Sequence, residues 1–192
     1  MLSLPPRSDF RTRPIFTPRL MLAPLDGAAA REMHEAIVAS RAELEPWLPW
    51  VPFTTDAASC LGYCEASAHD WDAGRASRFS IRDRTTHVFL GIVGIESWQG
   101  LHDSGDLGYW LVTSARGRGY MTEAARATLH FAFEVAGAHR IRVAASTENH
   151  ASLSVIHRLG FHFEGIARHA EFVAGRWLNH AVFGQLMSDV PR

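Results

Sequence analysis

ARGRGYMTEA, residues 115–124, follows an apolar run, LGYWLV at 107–112, and opens directly into a helical pattern. Gly117 and Gly119 let the backbone turn sharply, so consecutive N–H groups can converge on one point. The helix predicted to begin near Tyr120 aims the positive end of its dipole at that point. Arg116 and Arg118 add permanent positive charge beside it. Strand, Gly/Arg loop and helix in this order form a cradle for phosphate. A P-loop needs Gly-Lys-Ser/Thr, and the chain has no lysine. A dinucleotide fingerprint needs a third glycine, where Thr122, Glu123 and Ala124 stand. On these residues alone, an arginine-rich turn before a surface helix stays open.

Upstream of the cradle the apolar residues recur with a period of two: 77–82 and 88–97 read as neighbouring strands, and 105–112 as the next. VFLGIVGIES, residues 88–97, is apolar on both faces, which predicts a central strand. Downstream, Met121, Ala125, Thr128, Leu129, Ala132 and Ala136 form a helical stripe that Gly137 stops. A strand at 140–146, a short helix at 149–159 and a hairpin of 161–172 with 177–187 about Ala174-Gly175 complete the chain. Toward the start, residues 15–25 read as a first strand with Pro18 at its edge. Asp26 caps a helix over 27–40, with Ala30, Met33, Ile37 and Val38 on its apolar face. A short helical piece at 41–47 ends in the proline-rich PWLPWVPF, and 55–72 restarts a helix that Gly74 closes. Early helices and a mostly antiparallel sheet with two inserted helices make an α+β domain. Residues 1–14 read as a flexible leader and 15–188 as one domain.

Bulk properties narrow the function. A hydrophobic fraction of 47% and a charged fraction of 20% describe a soluble globular protein. A net charge of −1 gives no reason to expect nucleic acid or an anionic membrane as partner. No apolar run nears the roughly 20 residues of a membrane span, and the start lacks the apolar core of a secretory signal. Cys60 and Cys64, four apart in a helical pattern, read as free thiols of a cytoplasmic protein. His150, His157, His162 and His169 cluster in sequence without metal-ligand spacing, so no metal is expected.

Arg116-Gly117-Arg118-Gly119-Tyr120-Met121 resembles the pyrophosphate loop of the GNAT N-acetyltransferases, Arg/Gln-x-x-Gly-x-Gly/Ala, departing at Met121. A second stretch, ENHASLSVIHRLGF at 148–161, resembles the closing motif of their RimJ/RimL branch, through Asn149, Ser152, Val155, Leu159, Gly160 and Phe161. Thr17-Pro18-Arg19-Leu20, Trp47-Leu48-Pro49-Trp50, Ala170-Glu171-Phe172 and Gly175-Arg176 extend the likeness over residues 15–188. The resemblance implies the GNAT fold, a mixed, mostly antiparallel sheet flanked by helices in α/β/α layers. It also implies direct acetyl transfer from acetyl-CoA to an amine, in this branch the N-terminal α-amine of ribosomal proteins.

The roles it implies fall on particular residues. Arg116 to Met121 and Asn149 would hold the coenzyme, and a backbone N–H near Leu111 or Val112 would meet the oxyanion. The tyrosine that usually protonates the thiolate is replaced by Ile156; the resemblance to RimL-type enzymes, which use a serine at the matching position one helical turn earlier, implies Ser152 as the candidate acid. Glu171 is the candidate beside the incoming amine, while Trp47 and Trp50 could line the acceptor groove. Each has a structural alternative: a helix cap for Asn149 and Ser152, surface charge for Glu171, core packing for the tryptophans. Glu96, Asp103 and Asp106 are weaker carboxylate candidates. A small-amine acetyltransferase, a CoA-binding module without turnover and a nucleotide-binding regulatory domain are the rival functions. Monomer and homodimer are both compatible with the sequence.

Overall fold

Residues 89–95, FLGIVGI, are buried without a break, so the strand that holds them must be covered on both faces. The computed structural model describes residues 2–190 and places this strand inside an eight-stranded sheet. The strands are β1 (Ile15–Phe16), β2 (Leu20–Pro24), β3 (Ser77–Asp83), β4 (Phe89–Gln99), β5 (Ser104–Leu111), β6 (Arg140–Ser146), β7 (His162–Val173) and β8 (Arg176–Leu186). The helices are α1 (Arg7–Thr12), α2 (Ala30–Leu44), α3 (Ala57–Asp72), α4 (Tyr120–His130) and α5 (His150–Leu159). Strand order is β1-β2-β3-β4-β5-β6-β8-β7, antiparallel throughout except that β5 and β6 run parallel. A parallel pair requires a crossover, and α4 supplies it.

The helices pack by the stripes the sequence shows. In α2 the buried positions are Ala30, Met33, Ile37, Ser40 and Leu44, at alternating spacings of three and four. Val38, expected on that face, is 54% exposed, one residue round the helix from Ile37. All six stripe residues of the crossover helix are buried, and the Thr128 hydroxyl among them donates to Ala124 O at 3.1 Å. Beyond His130 the helix widens into a π turn at Phe131–Val135. α2 runs unbroken to Leu44, so the separate piece expected at 41–47 does not exist.

Two further expectations are corrected. Residues 15–25 are not one strand: Thr17, Pro18 and Arg19 turn the chain, and β1 folds back on β2 with Ile15 opposite Leu22. Residues 2–14 lie against the domain rather than loose; Met1 lies outside the described residues. Phe10 of α1 packs edge-on against Phe79 and Phe131 and tilted against Trp71, at centroid distances of 5.2–6.3 Å. Trp71 Nε1 donates to Pro5 O, Ser3 N to Ala136 O, and Leu2 N to Asp103 Oδ1. The polar composition of the segment concealed one aromatic anchor. Phe10→Ala should therefore cost about 2 kcal/mol in urea unfolding, below the 3–5 typical of a fully buried Phe because Phe10 is half-buried. A loss under about 0.5 kcal/mol would place the segment outside the cooperative unit.

Candidate active site

The site begins where two strands part. β5 and β6 are paired only from Ser104–Arg140 to Asp106–Arg142, and beyond that they diverge. Val112 N donates to Leu90 O at 2.9 Å, toward β4. Amide directions alternate along a strand, so the Leu111 N–H points the other way, into the gap. Of the two residues predicted to offer an oxyanion donor, Leu111 alone is placed for it. A cleft of about 1440 Å³ opens over this gap, lined by β5 and by the first turns of α4 and α5.

One lip of the cleft is the predicted cradle. Arg116 is extended, Gly117 and Gly119 are left-handed with φ of +74° and +76°, and α4 starts at Tyr120. No side chain caps α4, and the first intrahelical bond is Glu123 N to Gly119 O at 3.1 Å, so the N–H groups of Tyr120, Met121 and Thr122 precede the helical ladder. A Cβ on Gly117 would meet nothing within 4 Å, which leaves room for a ligand against the backbone. Arg116, Gly117, Gly119, Tyr120 and Met121 line the cleft; Arg118 and Val112 do not. Instead, the Arg118 carbonyl accepts from Arg19 Nη1 at 2.9 Å, which sets the orientation of the loop backbone.

Arg19 is in turn held by Glu123, in the first turn of α4. Glu123 accepts from Thr17 Oγ1 (2.6 Å), Arg19 N (2.9 Å) and Arg19 Nε (2.7 Å). Burial acts to raise its pKa, but these bonds outweigh burial and hold the carboxyl below its ordinary value. On the entry side of the cradle, Thr113 N donates to the buried Ser40 Oγ at 3.0 Å. Sequence reading missed Arg19, Ser40 and Glu123 as parts of the site. Ser40 carried a signal, a polar residue on an otherwise apolar helical stripe.

The other lip is α5. Asn149 caps it, its Oδ1 accepting from Ser152 N at 3.1 Å, and both residues line the cleft opposite the cradle. The hydroxyl of Tyr109 lies 2.9 Å from Ser152 Oγ and 3.3 Å from Ser152 O. Tyr109, in the LGYWLV run, is a site residue the sequence reading did not single out. Ile156 is fully buried and stands away from the cleft.

The remaining candidates divide between the two faces of the sheet. Tyr109 reaches α5, whereas its neighbour Trp110 meets Trp50 and Phe89 at 6.1 and 6.0 Å on the opposite face. Phe183 of β8 meets His157 of α5, so His180, an odd number of residues away, faces oppositely. Glu171 pairs with Leu178 in register, and its Oε2 lies 3.5 Å from His180 Nε2. Glu171 thus stands on the face opposite Ser152, beside His180 and not in the cleft itself. Trp47 lines the cleft under the Arg176 guanidinium, 5.8 Å from its ring, and Arg176 also pairs with Glu148. Trp50 packs against the core and does not line the cleft. Arg41 fixes the loop that bears both tryptophans by donating to Val51 O and Thr54 O.

Other carboxylates are engaged elsewhere: Glu96 with Arg78, Asp106 with Arg142, and Asp103 with Leu2 N. Of the four clustered histidines, His150 lines the cleft, His157 packs on Phe183, His162 lies near Asp189 and His169 stacks on Trp177. Among the described residues, no helix is long and apolar enough to cross a membrane.

The brace under the cradle gives a pH prediction. Because the folded pKa of Glu123 lies below its unfolded value, its stabilisation is complete above about 4.5 and is lost as pH falls through the folded value. Glu123→Gln should cost about 1–2 kcal/mol at pH 7 and flatten the acid limb of a stability–pH profile. An unchanged acid limb would remove Glu123 from the brace.

Comparison with known proteins follows this geometry closely. The family described as the acetyltransferase (GNAT) domain matches residues 19–162. YjcK of Bacillus subtilis (strain 168), a probable N-acetyltransferase, is 39% identical over 83 residues, 43% of this chain and 46% of YjcK, so that match spans under half of the relative. YdaF of the same organism, a putative ribosomal N-acetyltransferase, is 27% identical over 81% of this chain and 82% of YdaF. Mycobacterium smegmatis RimJ, solved in complex with CoA-disulfide, superposes with a TM-score of 0.84 at 26% identity, over 90% of this chain and 84% of RimJ. With its mixed sheet, its glycine cradle and a family match over residues 19–162, the chain belongs to the GNAT acetyltransferase family.

Proposed function

We propose that this GNAT-family protein is an N-acetyltransferase that moves acetyl from acetyl-CoA to the N-terminal α-amine of a protein. The observation that carries the reading is that one cleft holds both the uncapped start of α4 and the hydroxyl of Ser152. The CoA-disulfide complex of RimJ and the ribosomal designation of YdaF support the donor and the acceptor class.

The residues present suit a diphosphate. The N–H groups of Tyr120 and Met121 and the guanidinium of Arg116 would hold it, with Gly117 leaving the backbone open to approach. Bound acetyl-CoA supplies an activated acetyl thioester. Leu111 N–H offers a donor in the strand gap for the carbonyl oxygen. Ser152 holds a hydroxyl hydrogen on the α5 face for the departing sulfur. On the other face, the Glu171 carboxylate, next to His180, takes the proton that the amine gives up. Acceptor and leaving group are then handled on opposite faces of the sheet, as a displacement through the gap requires.

Magnitudes favour an α-amine. With a pKa of about 7.7–8.0 it is roughly a quarter neutral near pH 7.4, whereas a lysine amine at about 10.4 is neutral to only about one part in a thousand. A carboxylate as exposed as Glu171, at 36%, suits the easier task. Arg176 and Trp47 wall the acceptor side, and Glu148 and Glu171 bring negative charge to it, matching a cationic peptide end.

Thiol release from acetyl-CoA with a panel of N-terminal peptides, set against polyamines and aminoglycosides, tests the acceptor. Turnover on peptides is expected; turnover on the small amines alone would move the assignment to a small-molecule enzyme. CoA binding without turnover on any acceptor would make the protein a binding module. Gly119→Val forces a β-branched residue into a left-handed backbone, at a cost of about 1–2 kcal/mol. It should weaken CoA at least about tenfold by calorimetry, and unchanged affinity would refute the cradle. Ser152→Ala should lower kcat by one to two orders of magnitude with CoA affinity unchanged, whereas a wild-type kcat would exclude Ser152 from the chemistry.

A further inference from the structure

The hydroxyl that matters most on the α5 lip is held by a residue from the opposite lip. Tyr109 projects from β5, Ser152 from α5, and their hydroxyl oxygens lie 2.9 Å apart across the divergence of β5 and β6. We propose that Tyr109 is a positioning residue for the transfer, donating its phenolic hydrogen to Ser152 Oγ so that the serine hydrogen points into the cleft. The inference rests on the acetyltransferase reading above and adds a residue to it.

Two acceptors on Ser152 compete for the phenolic hydrogen. A phenol has one hydrogen and two acceptors in reach here, Ser152 Oγ at 2.9 Å and Ser152 O at 3.3 Å. Ser152 O lies within α5, where the N–H four residues on already serves it. The shorter contact, to a hydroxyl with no other donor, is therefore the better use of the phenolic hydrogen. With that bond made, the serine hydrogen is free to face the cleft. Without it, a serine in the first turn of a helix turns back to bond a carbonyl of the preceding turn, and its hydrogen leaves the cleft.

The proton balance draws no hydrogen from Tyr109: acetylation takes one hydrogen from the amine and leaves one on the thiol. Tyr109 keeps its hydrogen and orients that of its neighbour. The phenol that position 156 lacks on α5 is present in this chain on β5, in contact with Ser152.

The test compares wild type, Tyr109→Phe, Ser152→Ala and the double variant. Three readouts are needed: steady-state acetyl transfer to an accepted peptide, CoA affinity by calorimetry, and urea unfolding of the coenzyme-free protein. Tyr109→Phe should lower kcat about 10- to 100-fold, with KM for acetyl-CoA and Kd for CoA within twofold of wild type. The double variant should be no slower than Ser152→Ala. In urea, the loss of midpoint in the double variant should fall short of the sum of the single losses, because both break the same bond. An unchanged kcat in Tyr109→Phe, kcat losses that multiply, or unfolding losses that add would each overturn the proposal. If wild type binds no CoA and acetylates nothing, the acetyltransferase reading fails instead. The unfolding cycle still reports on the Tyr109–Ser152 bond in that case, and if Tyr109→Phe is too unstable to assay, Tyr109→Leu, which also lacks the hydroxyl, is read in its place and should show the same loss of kcat; a wild-type kcat there overturns the proposal.

Discussion

Everything at the site follows from the failure of β5 and β6 to stay paired past Asp106 and Arg142. Parallel strands need a crossover, and here the loop that leaves the end of β5 leads into the crossover helix with its positive terminus at the mouth of the gap. α5 follows β6 after a three-residue turn, so its first residues land on the facing lip. The gap also strands the amide of Leu111, which a paired β6 would have consumed. A donor for phosphate, a hydroxyl and an unused strand N–H therefore share one wedge because of a single break in a ladder. The chemistry is a consequence of topology before it is a consequence of residue choice.

An uncapped helix start with Arg116 beside it concentrates positive charge, and something must hold the loop in shape without a ligand. Glu123 does so from inside α4 by gathering Thr17, the amide of Arg19 and its guanidinium. An exposed ion pair would add little. This carboxylate is different because its side chain is only 15% exposed and it accepts from several donors at once. The turn between β1 and β2 is thereby tied to the loop that meets the phosphate, and Ser40 ties α2 to the same loop through Thr113. Elements far apart in sequence fix a backbone whose own glycines would leave it loose.

Much of this was legible in the residues. The cradle at 115–124, the central strand, the stripe of α4 and the cap at Asn149 are local patterns, set by periodicity and by glycine at left-handed positions. Membership of the GNAT family was legible in two separated motifs. What escaped was non-local. Residues 15–25 look like one strand because the turn at Pro18 is decided by Glu123, over a hundred residues later. Trp47 and Trp50 are alike in sequence, and only the tertiary contact of Trp50 with Trp110 separates core from cleft. Leu111 and Val112 are likewise indistinguishable until the pairing of Val112 with Leu90 assigns one amide to each side. The 2–14 segment was misread because its composition is polar and its docking rests on tertiary contacts, the ring of Phe10 and hydrogen bonds of Leu2, Ser3 and Pro5 with residues far along the chain.

Tyr109 illustrates why a cleft hydroxyl and its support need not come from one motif. A helix places side chains with its own periodicity, and in α5 the turn after Ser152 delivers Ile156, which is spent entirely on the core. A donor from the same helix would have had to take that position and leave a hole beneath it. Strand β5 has no such conflict, because alternation sends Trp110 to the α2 side and Tyr109 to the α5 side. The bond from Tyr109 to Ser152 then joins the two diverging lips at the place where no ladder bond can. Width of the wedge and position of the Ser152 hydroxyl are tied to the same contact, so the strand that bounds the cleft also holds the hydroxyl that faces it.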